Sequence, residues 1–228
     1  SKIDRKLFNF KKKMEQVHYN WENDGPLKNY TDNFTASFDQ TPNFLYSNPY
    51  FIQTLADDGV RVDVNGKRVI DRWSGSTGQI DRAIIRNGEE IKSIKTEYHE
   101  NTGRAAVFSN VVQFGEWIAY YYPNKNLEGF PIDSKTKMGT PLSNMATLEE
   151  NFGIGAPTQK VPSDNFTARY TTIQRMQAGE YIIRGLANDG LRVLIDGKVV
   201  IDRWTPTSYK EETRKITIND GTGNSVLG

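Results

Sequence analysis

The stretch ADDGVRVDVNGKRVIDRW, from Ala56 to Trp73, occurs a second time as ANDGLRVLIDGKVVIDRW, from Ala187 to Trp204. The two stretches lie 131 residues apart, and the segments DNFTAS and DNFTAR, which begin at Asp32 and Asp164, repeat at an offset of 132. Solenoid repeats are much shorter, at about 20–50 residues. A repeat of this length therefore indicates a duplicated domain.

We predict two domains, residues 1–115 (the first copy) and residues 116–228 (the second copy). The segment Glu116–Ile132 opens the second copy, and its counterpart in the first would fall before Ser1. The segment Glu89–Phe114 closes the first copy, and its counterpart would run past Gly228. We expect the first copy to lack its opening strand and the second its closing strands. Open strand edges need covering, so we expect either strand complementation within the chain or a strand-swapped homodimer.

Each repeated stretch is predicted to form a β-hairpin. Val60, Val62 and Val64 alternate with polar residues, and Asn65-Gly66 then precedes a second β-branched run. Asp196-Gly197 takes the same position in the second copy. Such pairs suit the type I′ turn, which needs positive φ at both central residues. Further strand candidates are Tyr181–Leu186, Ile91–Tyr98, Ala105–Val112 and Trp117–Tyr122. The predicted class is all-β, with a sandwich or jelly-roll-like barrel in each copy.

Composition and charge exclude several classes of function. The chain has 228 residues, of which 36% are hydrophobic, and a net charge of +1, so no overall field would attract nucleic acid. No apolar run approaches the roughly 18 residues of a membrane span, so we expect no membrane insertion. There are no cysteines. The sequence has no HExxH, G-x-S-x-G or P-loop motif, so we do not expect an enzyme.

The repeated signature A-[DN]-D-G-[VL]-R-V-x-[VI]-[ND]-G-K-x-V-I-D-R-W resembles that of the PA14 domain family. WIAYYYPNKNLEGFP, DNFTARY and IKTEYHENTGRAA resemble further segments of the family, in the expected order. The resemblance implies two tandem PA14-like domains folded as β-sandwiches or barrels. The family occurs in bacterial adhesins, glycosidases, binary toxins and yeast flocculins, and many members bind carbohydrate.

In adhesin members of the family, two adjacent acids bind Ca²⁺, often across a cis peptide, and a second loop adds amide and carbonyl oxygens. The matching acids are Asp57 and Asp58, and the matching loop residues are Asn101 and Gly103. The resemblance thus implies a Ca²⁺ site that presents its ion to sugar hydroxyls. Carboxylate and carbonyl oxygens are the ligands that Ca²⁺ prefers. Neighbouring side chains on a strand point to opposite faces, so both acids can share an ion only where the backbone turns sharply.

Alternative interpretations accompany each of these residues. Asp57-Asp58-Gly59 can simply cap a turn through side-chain hydrogen bonds. The second copy carries Asn188 in place of the first acid, which argues against a second site. Trp73 is a candidate for stacking on a sugar ring, although a Trp at a strand end is more often part of the core. Arg72 and Arg203 are each expected to form an ion pair with a nearby Asp.

Taken together, these features predict a non-catalytic module of a secreted or cell-surface protein. The expected function is carbohydrate binding or adhesion, with a polysaccharide or glycan as partner and Ca²⁺ as cofactor. The sugar-binding residues would be Asp57, Asp58, Asn101, Gly103 and Trp73. The alternative is a structural or protein-interaction module, as in toxins, or an accessory domain of a glycosidase.

Overall fold

The computed structural model describes residues 17–28, 30–42, 49–75, 78–86, 90–139, 147–219 and 225–227. Within these ranges the protein is all-β, which confirms the predicted class. The strands are β1 (Val17–Glu22), β2 (Phe34–Gln40), β3 (Tyr50–Asp57), β4 (Gly59–Val64), β5 (Lys67–Arg72), β6 (Gln79–Ile85), β7 (Ile94–Glu100), β8 (Ala105–Gln113), β9 (Trp117–Tyr122), β10 (Asp133–Met138), β11 (Thr167–Gln174), β12 (Gly179–Ala187), β13 (Leu191–Ile195), β14 (Lys198–Arg203), β15 (Lys210–Ile218) and β16 (Ser225–Leu227). No helix in the described part of the chain is long and apolar enough to span a membrane.

Both predicted hairpins are present. Asn65 and Gly66 have φ of 50° and 80°, and Asp196 and Gly197 have φ of 49° and 77°. These are the positive values that a type I′ turn needs. The turns join β4 to β5 and β13 to β14 in antiparallel pairs. Asn65 is held further, because its side-chain amide donates to the carbonyl oxygen of Glu90 at 2.6 Å.

The strands form four sheets stacked through three apolar clusters. The sheets have the orders β2-β7-β4-β5, β1-β8-β3-β6, β10-β9-β11-β16-β13-β14 and β12-β15. The first cluster lies between the first two sheets and includes Ile52, Val62 and Tyr98. The third lies between the last two sheets and includes Tyr121 and Ile195. Each copy thus contributes two sheets that enclose an apolar interior.

The second cluster joins the two copies. Phe51, Leu55 and Phe108 of the first copy pack there with Ile118 and Tyr120 of the second. This explains why every residue of β3 is buried. One face of the strand lines the interior of the first copy, and the other face lies against the second copy. The strand therefore shows no alternation of buried and exposed positions, and its polar residues Gln53, Thr54 and Asp57 are buried as well.

The strand pair β3–β6 of the first copy recurs as β12–β15 in the second copy, but the strands beside the two pairs differ. In the first copy Ala56 pairs with Gln79, and in the second Ala187 pairs with Lys210, 131 residues further on in both strands. β3 has β8 as its second neighbour. Among the described strands, β12 has no neighbour other than β15.

A histidine contributes to the contact between the copies. His18 lies on β1 with its ring edge-on to Phe108, the ring centroids being 4.1 Å apart. Its Nδ1 is 3.2 Å from the hydroxyl of Ser134 and 3.7 Å from Asp133 Oδ1. Burial lowers the pKa of His18 to about 4, although Asp133 acts in the opposite direction and Lys160 adds to the lowering. The folded protein therefore holds this imidazole neutral at neutral pH.

We expect the stability of the protein to fall on mild acidification because of His18. The pKa is about 6.5 in the unfolded chain and about 4 in the folded one. Above pH 6.5, His18 is neutral in both states and does not reduce the free energy of unfolding. As the pH falls from 6.5 to 4, the unfolded chain takes up a proton that the folded protein does not, and the free energy of unfolding decreases by about 3 kcal/mol in total. Urea unfolding of the wild type and of His18→Phe over this range measures the effect. The variant retains every other titrating group, so equal pH slopes in the two proteins would contradict it.

Candidate functional site

Three segments meet at one end of the first copy. They are the β3–β4 junction at Asp57 and Asp58, the β7–β8 turn at Asn101, and the turn before β2 at Asp32 and Asn33. The backbone N–H of Asn101 donates to Asp58 Oδ2 at 2.8 Å. The N–H of Asn33 donates to the carbonyl oxygen of Asn101 at 2.8 Å. The structure thus brings the predicted acids and the predicted second loop together.

The two adjacent acids differ in their surroundings. The peptide bond between Asp57 and Asp58 is cis, the form that the family resemblance implies. Asp57 is buried and Asp58 partly so. Burial raises the pKa of Asp57, and the neighbouring carboxylate of Asp58 raises it further, whereas Arg104 and Arg72 act to lower it. A cation bound beside Asp57 would relieve both of the effects that disfavour its charge.

Two glycines flank this arrangement. A Cβ atom at Gly75 would lie 2.7 Å from Asp58 Oδ1, so a larger residue there would displace the Asp58 carboxylate from its present position. Gly103 has a φ of 105°, a value that favours glycine. Its N–H donates to Asp32 Oδ1 at 3.0 Å. The loop is therefore shaped to run close to the acids.

Sequence reasoning missed Glu100 and Asp32. Glu100 is fully buried at the end of β7, and its Oε2 is 2.6 Å from the hydroxyl of Tyr98. Its Oε1 is buried without a hydrogen-bond partner. Burial raises the pKa of Glu100 to about 7, and Asp58, Asp57 and Asp32 raise it further, against the lowering effect of Tyr98. The available signal was the Tyr98-x-Glu100 spacing, which places both side chains on one face of a strand.

The guanidinium of Arg72 donates hydrogen bonds to the backbone of the β3–β4 junction. It donates to the carbonyl oxygen of Asp58 at 2.6 Å and to that of Ala56 at 3.3 Å. Its Nε donates to Asp81 Oδ2 at 2.7 Å, which confirms the predicted ion pair. In the second copy Arg203 makes the matching bonds to Asp189 and Ala187.

The ion pair of Arg203 is looser than that of Arg72. Its Nε is 3.8 Å from Glu212 Oε1, where the sequence suggested an aspartate. The junction in the second copy also differs, since Asn188 precedes Asp189 and the N–H of Asp189 donates to the carbonyl oxygen of Thr207 at 2.7 Å. At the offset of 131, the positions that would match Asn101 and Gly103 are numbered 232 and 234, past the 228 residues of this sequence.

The side chain of Trp73 is neither fully buried nor fully exposed. It is half-buried at the end of the β5 segment, with the guanidinium carbon of Arg61 4.4 Å from its ring centroid. The ring of His99 stacks on it with a centroid separation of 5.4 Å and an angle of 25°. Two neighbours thus occupy the aromatic surface on which a sugar ring would have stacked.

The oxygen atoms present suit Ca²⁺ in kind. Two carboxylates, an amide side chain and the carbonyl oxygen of Gly103 are the hard ligands that this ion takes. Among the described residues the buried Oε1 of Glu100 has no hydrogen-bond partner. In the described part of the chain, no three acidic or histidine side chains converge as a metal centre. A Ca²⁺ site would therefore rest largely on amide, backbone and water oxygens.

Comparison with known proteins identifies one domain and one related protein. The PA14 domain family matches residues 118–223, so a PA14 domain is found in the second copy. The chain is 26% identical over 197 residues to the anti-sigma-I factor RsgI3 of Acetivibrio thermocellus. That match covers 77% of this chain but 30% of the relative, so the chain spans less than a third of that protein's length.

Two solved structures are similar to this chain at low identity. One is an anti-sigma factor domain-containing protein, with 19% identity, a TM-score of 0.42 and coverage of 98% of this chain and 84% of that one. The other, from Clostridium clariflavum, has 20% identity, a TM-score of 0.40 and coverage of 99% and 85%. At these values neither likeness supports a functional conclusion.

The prediction of a carbohydrate-binding adhesion module is wrong. The relative found over most of this chain is an anti-sigma factor. The physical reason for the error is that one fold hosts proteins with different functions, so a resemblance in fold and motif does not determine the function.

Proposed function

We propose that this chain is a non-catalytic regulatory module of a protein that controls a sigma factor. The observation that carries the proposal is the 26% identity to an anti-sigma-I factor over 197 residues. A match of that length is longer than either copy, so it includes both. We further propose that the first copy is a second PA14-like domain, in tandem with the one found at residues 118–223.

Within such a protein we assign this chain to signal input and not to sigma-factor binding. The chain spans 30% of the relative, which leaves room for a sigma-binding part elsewhere. The second apolar cluster couples the two copies, so a change at the end of the first copy can be transmitted to the second. That the module acts in a secreted or cell-surface position stays a prediction.

The proposed input at the first copy is Ca²⁺. The ion would be held by Asp57, Asp58, Asn101 and Gly103. The buried carboxylate of Glu100 would balance part of its charge. Burial raises the pKa of both Asp57 and Glu100, and nearby carboxylates raise it further, so a bound cation would stabilise the charged form of each. Binding would bring together three segments that lie far apart in sequence.

Calorimetric titration of Ca²⁺ into the metal-stripped chain tests the proposed site. We expect one binding site in the wild type and its loss in Asp58→Ala. Asp189→Ala is the matched control, because it removes the equivalent acid from the second copy, and it should leave binding unchanged. Heat that persists in Asp58→Ala, or no heat in the wild type, would contradict the site.

The regulatory role has a separate test in cells that carry the full-length parent gene. Transcription from a promoter of the cognate sigma factor is measured with the intact gene and after in-frame deletion of the part that encodes this chain. We expect the deletion to change transcription while the truncated protein still binds the sigma factor. Unchanged transcription would reject the role, and direct capture of the sigma factor by this chain alone would reject the assignment to signal input.

A further inference from the structure

Two arginines lie at the edge of the contact between the copies, one from each copy. Arg82 is on β6, two residues from Ile80, which packs against the second apolar cluster. Arg169 is on β11, four residues before Ile173, which is buried in the same cluster. Side chains two or four residues apart on a strand share a face. Each arginine therefore lies on the face that its own copy turns toward the other.

A row of polar side chains runs between the two arginines. The Nε of Arg82 donates to Oε1 of Gln53, its cross-strand neighbour, at 2.6 Å. The hydroxyl of Tyr120, the cross-strand neighbour of Arg169, donates to Asn110 Oδ1 at 3.2 Å. Gln53 and Asn110 face each other on β3 and β8 and are 1% and 4% exposed. The buried amide of Gln53 thus fixes the orientation of the Arg82 guanidinium and occupies only its Nε.

Neither arginine has an acidic partner among the residues that the structure describes. Asp81, next to Arg82 in the chain, lies on the other face of β6 and pairs with Arg72 at 2.7 Å. Burial lowers the pKa of Arg82, Tyr120 acts to raise it, and the positive charge of Arg169 lowers it. Like charges near each other disfavour the charged forms, and an anion between them would reverse that effect.

The two arginines do not belong to the repeat. At the offsets of 131 and 132, the residues that match Arg82 and Arg169 are Thr213 and Ser37, which are uncharged. The fold of one copy therefore does not require an arginine at either position. Both positive charges occur only where the first copy meets the second.

We propose that Arg82 and Arg169 bind a phosphate group at the edge of the contact between the copies. The planar guanidinium donates paired hydrogen bonds to phosphate oxygens, and two of them balance the charge of about −1.5 to −2 that a phosphate monoester carries near pH 7. Both side chains are accessible to solvent, so the ligand can enter. The proposal does not rest on the Ca²⁺ site or on the regulatory role. A phosphate held by both copies would stabilise their contact.

The phosphate group has two possible sources, the free ion and a monoester. Ile84 lies two residues from Arg82 on the same face of β6 and is 41% exposed. It offers an apolar surface to the organic part of an ester. Tighter binding of phenyl phosphate than of inorganic phosphate would assign the site to a monoester, and equal affinity would assign it to the free ion.

Titration of the 228-residue chain with inorganic phosphate, followed by ³¹P NMR at constant ionic strength, tests the proposal. We expect saturable binding to the wild type and a Kd at least about tenfold higher for Arg169→Gln. Arg82→Lys keeps the charge but loses the planar fork, and it should raise the Kd about threefold. Arg175→Gln is the control, because Arg175 is an exposed arginine just after the end of β11, and it should leave the Kd unchanged.

Three results would overturn the proposal. They are the absence of binding for both probes, binding that is unchanged in Arg169→Gln, and an equal loss of affinity in Arg175→Gln, which would mean attraction by net charge alone. Thermal unfolding separates loss of binding from loss of the fold. Without phosphate, Arg169→Gln should melt no lower than the wild type, because the change removes a like charge near Arg82. With phosphate, only the wild type and the control should gain the full increase in melting temperature.

Discussion

Leu55→Ala is expected to lower the free energy of unfolding by about 2–5 kcal/mol, whereas Leu186→Ala should change it by less than about 0.5 kcal/mol. The two leucines occupy equivalent positions of the repeat, 131 residues apart. Leu55 is 1% exposed in the cluster between the copies, and Leu186 is 63% exposed. The same atoms are removed in both variants, so the difference measures the contact between the copies. Urea unfolding at low protein concentration provides both values.

Two other outcomes of the unfolding experiment are possible, and each has a different structural meaning. Equal, small effects would mean that the two copies do not pack together through β3 in solution. Equal, large effects would mean that the outer face of β12 is covered within the monomer. Either result would contradict the four-sheet arrangement described above. Phe108→Ala offers an independent check, since Phe108 is fully buried in the same cluster and should cost about 3–5 kcal/mol.

Arg72→Met is expected to destabilise the protein by about 3 kcal/mol, more than Arg203→Met does. Arg72 and Asp81 are 10% and 17% exposed and their charged atoms lie 2.7 Å apart. Methionine keeps much of the side-chain volume but leaves the Asp81 carboxylate without its cationic partner. It also removes donors to the carbonyl oxygens of Asp58 and Ala56. Thermal and urea unfolding measure the loss.

The second copy supplies the control for this prediction. Glu212, the partner of Arg203, keeps two further cations when Arg203 is replaced, Lys210 at 3.1 Å and Arg214 at 3.6 Å. Its carboxylate is therefore not left alone, and we expect a loss of about 1–2 kcal/mol from the donors to carbonyl oxygens. A larger loss for Arg203→Met than for Arg72→Met would show that the ion pair with Asp81 is not the source of the effect. Arg72→Met should also weaken any binding of Ca²⁺, because it releases the junction that positions Asp58.

Much of the candidate site could be predicted from residue identities. Asp57, Asp58 and Asn101 were named from their match to a motif, and the structure places Asp58 within hydrogen-bonding distance of the Asn101 backbone. Glu100 was not identified as a site residue, because the sequence does not show whether a glutamate is buried or exposed. Its role depends on Tyr98, on burial and on three nearby acids, and these come together only when β7 packs between β2 and β4. Function could not be predicted, since the same acids and the same sandwich are compatible with several functions.

The local elements of this protein follow from interactions that the amino-acid sequence specifies directly. The Asn65-Gly66 and Asp196-Gly197 turns follow from residues that tolerate positive φ, and the flanking strands follow from alternation with a period of two. These are interactions between near neighbours, so the same stretch makes the same hairpin in both copies. Which strand faces are buried could not be predicted from these local interactions. Leu55 and Leu186 have nearly the same local sequence, yet one lies in a dry contact and the other in solvent, because burial depends on which distant sheet packs against a strand.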